Sequence, residues 1–288
     1  MNDMTGRVCV VTGANTGIGK ATALGLARMG ATVVMICRNR ARGEAAQAEV
    51  QRVASAPVDL FRADLSSQAE VRQVADDIRA RYAHIHVLIH NAGLQLPQRT
   101  LSVDGIEMTL AVNHGAPFLL THCLLDALKA GAPSRIVVVS SLVHRWGSID
   151  FDDLQLERGY TMDRAYFRSK LCNVLFTREL ARRLSGSGVT ANSLEPGLVK
   201  TDFARVYTGV QGWFVHNVWM RLFAQTPEQG AQTSVYLATS PEVAGVTGAH
   251  FAKCRPIEPS ALARDDALAQ RLWNVSVHLC NYSSSQIR

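Results

Sequence analysis

Across its 288 residues the chain has no C-x-x-C pair, no H-E-x-x-H motif, no block of like charge and no run of eighteen uninterrupted apolar residues. Each absence removes a class of function. Cys9, Cys37, Cys123, Cys172, Cys254 and Cys280 are widely separated, so they read as buried free thiols in a reducing compartment rather than as a disulfide or zinc framework. No stretch is apolar enough over its length to span a bilayer as a helix. The opening "MNDMTG" is too short and too polar for a signal peptide's apolar region, and the expected location is cytoplasmic. The net charge of +6 and pI near 9.2 come from scattered Lys and Arg, so no nucleic acid is expected as a partner; one phosphorylated small molecule accounts for the excess. The "HIH" pair His84 and His86, with His90 and His114, is the one hint of a metal. No Cys/His framework supports it, and no metal is expected.

What remains is a chain 47% hydrophobic and long enough for one large α/β domain covering 1–288. Short apolar runs recur: "RVCVVTG", "ATVVMICR", "APVDLFRA", "HVLIHNAG", "SRIVVVSS" and "GVTANSLEPG", with a last short strand near 247–252. Runs without polar alternation are what a parallel sheet buried on both faces requires. Helical patterns separate them, at about 17–29, 41–53, 67–81, 105–130 and 163–184. The expected fold is therefore α/β, a doubly wound parallel sheet of about seven strands with helices on both faces. Two segments break the alternation, 142–162 and 198–226. As insertions after strands five and six they fall at the carboxyl ends of the strands, where open α/β sheets bind ligands. In the tail 256–288 a helix from about Ala261 to His278 reads as cover for the sheet edge.

The first strand and helix enclose "TGANTGIG", with Gly13, Gly17 and Gly19. Glycines there allow a tight turn and a close approach of backbone to ligand, and the helix start attracts a pyrophosphate. The second strand ends "MICRNR". An NAD site places an acid near that position to hold the ribose; Arg38 can instead pair with a 2′-phosphate, so NADP(H) is the expected cofactor. Asp64 and Leu65 follow the third strand, near where an adenine would lie, and Asp64 could equally cap the next helix.

"AYFRSK" sets Tyr166 four residues ahead of Lys170 in a helical pattern, a spacing that brings any two side chains together on one helix face. In order along the chain stand T-G-x-x-x-G-x-G at Thr12–Gly19, "NAG" at Asn91, Ala92 and Gly93, Asn113, Ser141, Y-x-x-x-K at Tyr166 and Lys170, and "PG" at Pro196 and Gly197. Together they resemble the short-chain dehydrogenase/reductase family over about residues 5–252. The "ERGY", "VNH" and "CRN" segments and the long spacing from Ser141 to Tyr166 resemble its retinol-dehydrogenase-like branch.

That resemblance implies a Rossmann-type domain and an NADP(H)-dependent oxidoreductase that interconverts a lipophilic aldehyde or ketone and its alcohol. It implies Tyr166 as general acid/base, Lys170 as its activator and ribose ligand, Ser141 (with Ser140 the alternative) as polariser of the substrate oxygen, and Asn113 as holder of a water. Cofactor contacts are implied at Gly13, Asn15, Thr16, Gly17, Ile18, Gly19, Arg38, Asp64, Leu65, Asn91, Ala92, Gly93, Tyr166, Lys170, Pro196, Gly197, Val199 and Thr201. A phenol suits the proton transfer if a nearby ammonium draws its pKa of about 10 toward neutrality. The family often pairs through the helices that carry Asn113 and Tyr166, which makes a homodimer one expected assembly. The aromatic segment 212–224 reads as a lid, a core helix or a peripheral membrane contact. A nonenzymatic NADP-binding sensor of the same fold is the alternative function. The chain also departs from the pattern: His90 stands where an asparagine is usual, Glu195 replaces a histidine before the Pro-Gly pair, and Pro117 falls inside a helix, where a kink is expected.

Overall fold

The computed structural model describes residues 3–199 and 225–281; Thr201 and the whole 212–224 segment lie outside them. Among the described residues eight strands form one sheet: β1 (Val8–Thr12), β2 (Thr32–Cys37), β3 (Val58–Arg62), β4 (Val87–His90), β5 (Ser134–Val139), β6 (Val189–Glu195), β7 (His250–Ala252) and β8 (Arg255–Ile257). Their order is β3-β2-β1-β4-β5-β6-β7-β8. All neighbours are parallel except β7 and β8.

The apolar runs divide between two faces by the period of two that a strand imposes. Val10, Val34, Ile36, Leu88, Ile136 and Val138 belong to one buried cluster. Their neighbours Cys9, Val11, Val33, Met35, Ile89 and Val137 belong to a second. Against the first face pack α3 (Gln68–Arg81), α5 (Ala116–Cys123) and α7 (Met162–Arg183), through side chains such as Ile78, Phe118 and Phe176. Against the second pack α1 (Gly17–Arg28), α2 (Arg40–Gln51) and α8 (Pro227–Thr239), through Leu26, Val50 and Leu237. The short helices α4 (Met108–Leu110) and α6 (Leu125–Ala130) flank α5, and α9 (Asp266–Leu279) lies near the carboxyl terminus.

Several details differ from the sequence reading. The eighth strand is a hairpin partner to β7, made by a two-residue turn in which Lys253 and Cys254 have φ of 49° and 59°. Such turns usually carry Asn-Gly, so Lys-Cys left no signal. Pro256 sits in this edge strand rather than opening the tail, at a position where a missing N–H is tolerated. Helix α8 lies where the sequence reading places no element, although "TPEQ" signals its start: Thr226 caps Gln229 N–H, Gln229 caps Thr226 in return, and Pro227 occupies the first turn. Helix α9 packs on α7 rather than over a sheet edge. Its Trp273 stacks on Phe176 at 6.0 Å and meets Phe118 edge-on at 5.0 Å. All six cysteines are free, but Cys123 and Cys254 are half-buried rather than buried. No helix among the described residues is long and apolar enough to cross a membrane.

Candidate active site

The strand order reverses between β1 and β4, and the crevice at their carboxyl ends is where this kind of sheet binds ligands. Thr12 closes β1, and its Oγ1 accepts from the backbone N–H groups of Asn91 and Ala92, both at 3.0 Å. Asn91 Nδ2 donates back to the Thr12 carbonyl at 3.0 Å. The chain then turns at Gly13 and Gly17, with φ of 65° and 53°, conformations that L side chains rarely adopt. A Cβ at Gly13 would lie 2.9 Å from Ala92 Cα, and one at Gly19 only 2.2 Å from the Gly13 carbonyl oxygen. Glycine is thus required for the loop to fold back on the helix start.

Helix α1 also begins unlike its neighbours. Side chains of Asn39, Ser67, Thr161, Thr226 and Asp265 cap α2, α3, α7, α8 and α9. Thr16 makes no such bond, and the first turn of α1 has no acid. The free N–H groups and the positive end of the helix dipole therefore face the crevice, a fit for the pyrophosphate of a dinucleotide.

At the far side of β1, Arg38, Asp64 and Leu65 line the same cleft. Arg38 is two-thirds exposed, with Nη1 3.8 Å from Asp64 Oδ2. That carboxylate was not visible as a neighbour in the local sequence of Arg38. Arg40 is engaged with Glu44 at 2.8 Å, whereas Arg38 lines the cleft. Asp64 does not cap the next helix. Its Oδ1 accepts from the N–H and Oγ of Ser66 at 2.9 and 2.8 Å, while Ser67 caps α3.

The cleft has a volume of about 700 Å³, and every site residue named from the sequence lines it except Asn113, with Thr201 outside the described residues. The carboxyl end of β5 supplies Ser140 and Ser141, α7 supplies Tyr166 and Lys170, and the loop after β6 supplies Pro196, Gly197 and Val199. Ser140 is buried and its Oγ donates to the Lys170 carbonyl at 2.8 Å. Ser141, half-buried, caps the 3₁₀ turn Leu142–Trp146 and faces the opening. Lys170 is 3% exposed. Its Nζ donates to the Val139 carbonyl at 2.9 Å and lies 5.6 Å from the centre of the Tyr166 ring. Burial drives its pKa down from 10.5 to about 8, since an ammonium away from water loses solvation. Val143, Phe167 and Leu94 also line the cleft, without a sequence signal, since apolar residues beside polar motifs carry no pattern of their own.

Asn113 stands just behind the cleft, fully buried. Its Oδ1 accepts from Leu94 N–H at 2.8 Å and its Nδ2 donates to the Leu94 carbonyl and Ser169 Oγ, both at 2.9 Å. This amide is therefore already engaged, clamping the loop after Gly93 to α7. The expected kink takes the form of a π-helical turn, Ala111–Gly115, between α4 and α5. Pro117 has no N–H to offer the Asn113 carbonyl four residues back. His114, next in line, is anchored by Ser276 Oγ of α9 at 2.7 Å.

The histidines weighed for a metal do not converge. His84 is exposed. His86 Nδ1 accepts from Val8 N–H at 3.0 Å. His90, in place of the usual asparagine, is buried against Thr121 Oγ1 at 2.7 Å, and burial pushes its pKa down to about 3.

Comparison with known proteins identifies the family. The short chain dehydrogenase family model matches residues 7–209. Human retinol dehydrogenase 11 is 46% identical over 278 residues, covering 96% of this chain and 86% of the relative. A crystal structure of an uncharacterised protein from Mycobacterium paratuberculosis superposes with a TM-score of 0.79 at 33% identity, over 98% of this chain and 96% of the other. A short chain dehydrogenase from Burkholderia cenocepacia, solved in complex with NADP, superposes with a TM-score of 0.70 at 25% identity, over 87% of this chain and 97% of the other. The chain belongs to the short-chain dehydrogenase family of oxidoreductases, in its retinol-dehydrogenase-like branch.

Proposed function

We propose that the protein is an NADP(H)-dependent oxidoreductase that interconverts a lipophilic aldehyde or ketone and its alcohol. The observation that carries this reading is one cleft holding Ser141, Tyr166 and Lys170 beside a glycine loop and an uncapped helix start. The preference for NADP(H) rests on Arg38, whose guanidinium lines the cleft with a long 3.8 Å contact to Asp64 and no tighter partner among the described ion pairs. When bound, NADP(H) supplies or accepts the hydride.

The protein handles the oxygen and the proton. In reduction, Tyr166 gives its hydroxyl proton to the substrate oxygen as negative charge builds there, and in oxidation it takes that proton back. Lys170 carries positive charge at the foot of the Tyr166 ring and favours the phenolate. The Ser141 hydroxyl donates to the same substrate oxygen, as a fixed donor aimed at the charge that develops there. The Asn113 carbonyl holds a water that relays protons between Lys170 and solvent. Apolar Val143, Phe167 and Leu198 on the cleft wall favour a bulky apolar substrate, and similarity to a retinol dehydrogenase makes retinoids the first class to try.

The test is NADPH oxidation, with NADH as control, on carbonyls from short aliphatics to retinal, for the wild type and Tyr166→Phe. Turnover that prefers NADPH, rises with substrate apolarity and vanishes in the variant supports the reading. Tight NADPH binding without turnover on any carbonyl would favour the sensor function instead.

A further inference from the structure

Beside the cleft, on the substrate side of the sheet, three potential metal ligands come together that no motif in the sequence links: His144, Glu195 and His250, whose donor atoms lie within 4.8 Å of one another. The fold creates the group. Ser193 and Glu195 alternate by two along β6 and share a face, and His250 of β7 is the register partner of Ser193. His144 arrives from the 3₁₀ turn that Ser141 caps. His144 and His250 are 0% and 3% exposed, and the Glu195 side chain is 13% exposed.

We propose that His144, Glu195 and His250 form a binding site for a divalent transition-metal ion, with Zn²⁺ the best match to two imidazoles and a carboxylate. Three observations carry it. First, Glu195 Oε2 and His250 Nε2 are both buried without a hydrogen-bond partner, an expensive condition for a carboxylate oxygen and a ring nitrogen. Second, these two atoms face each other at 3.6 Å, close to the separation of about 3.4 Å that two donors take around one tetrahedral zinc.

Third, each imidazole has its Nδ1 tied to a neighbouring oxygen, the kind of bond that fixes the tautomer and ring orientation of a metal-ligating histidine. His144 Nδ1 donates to the Ser141 carbonyl at 2.8 Å, which leaves Nε2 with the lone pair. His250 Nδ1 bonds Ser193 Oγ at 2.8 Å, and as the donor it leaves Nε2 free to coordinate. His144 Nε2 is engaged by Ser260 N–H at 3.2 Å, and binding an ion exchanges that bond for a coordination bond. The ion would tie the turn that carries Ser141 to the end of β6 that leads into Pro196 and Gly197. Its role is to brace two walls of the cleft, with no part in proton or hydride transfer.

The experiment uses the full chain, stripped of metal by chelator dialysis, then titrated with ZnCl₂ by calorimetry and with CoCl₂ by optical absorption. Glu195→Gln and His250→Asn serve as the comparison variants, and circular dichroism checks their folding. The expected result is one Zn²⁺ per chain, bound more weakly in either variant by about tenfold or more. Zn²⁺ should raise the melting temperature of the wild type but not of Glu195→Gln. The Co²⁺ complex should show ligand-field bands without thiolate charge transfer. Absence of binding, binding equal in wild type and variants, or a thiolate band placing the ion on cysteines would each overturn the proposal. If His250→Asn does not fold, the near-isosteric Glu195→Gln and the wild-type Co²⁺ spectrum still decide it.

Discussion

Ser140 Oγ donates to the backbone carbonyl of Lys170 at 2.8 Å, across the junction between β5 and α7. That bond separates the two adjacent serines into different tasks, one holding the helix and the other facing the cleft. Ser141→Ala should lower kcat by about 10²-fold, in the range seen for loss of one donor to a developing oxyanion, and cost up to about 1 kcal/mol of stability for the lost cap of the 3₁₀ turn. Ser140→Ala should leave kcat within a few-fold and cost about 1 kcal/mol of stability, the value of one buried hydrogen bond. Steady-state kinetics beside thermal melts of both variants checks the division. A larger kcat loss in Ser140→Ala would reverse it.

Removing the Tyr166 hydroxyl while keeping the ring should leave NADPH affinity within about twofold and lower kcat by 10²-fold to 10⁴-fold, roughly the contribution of a positioned acid/base. Cofactor fluorescence titration and single-turnover kinetics on Tyr166→Phe measure the two effects separately. Retained turnover would sink the acid/base assignment.

Arg38→Ala should raise KM for NADPH by about 10–100-fold, the range for loss of a charge-assisted bond, and leave KM for NADH almost unchanged. Parallel kinetics with the two cofactors give the ratio. Equal losses for both would mean that Arg38 contacts the nucleotide away from a 2′-phosphate.

Lys170 carries a stability cost with a defined pH window. Its pKa falls from 10.5 to about 8 on burial. Below pH 8 both folded and unfolded chains hold the proton, and the folded state bears the whole cost of the buried charge. Between about pH 8 and 10.5 the folded protein has released a proton that the unfolded chain keeps, so stability rises with pH across that window. Lys170→Met should therefore be more stable at pH 7 by about 2 kcal/mol, the shift being worth about 3 kcal/mol before the lost bond to Val139 is deducted. The gain should fade toward pH 10.5 while activity is lost at every pH. Urea unfolding of both proteins at pH 7 and pH 10 checks the sign; a less stable variant at pH 7 contradicts it.

The parallel sheet and the glycine-lined cleft were readable in the sequence because each rests on local rules. Continuous apolar strands mark burial on both faces, and Gly13, Gly17 and Gly19 mark a loop that no side chain fits. Tyr166 and Lys170 share a helix face by spacing alone. What the chain order could not convey depends on residues that meet across the fold. Asp64 approaches Arg38 from the segment that follows the neighbouring strand β3. Ser140 is consumed by a helix carbonyl thirty residues away. The amide of Asn113 is taken up by Leu94 and Ser169, and α9, expected at a sheet edge, anchors the π turn through Ser276 and His114. His144, Glu195 and His250 become neighbours only because β7 pairs with β6 in one register and a turn follows β5. Local periodicity records which way a residue points, whereas tertiary pairing decides what it meets.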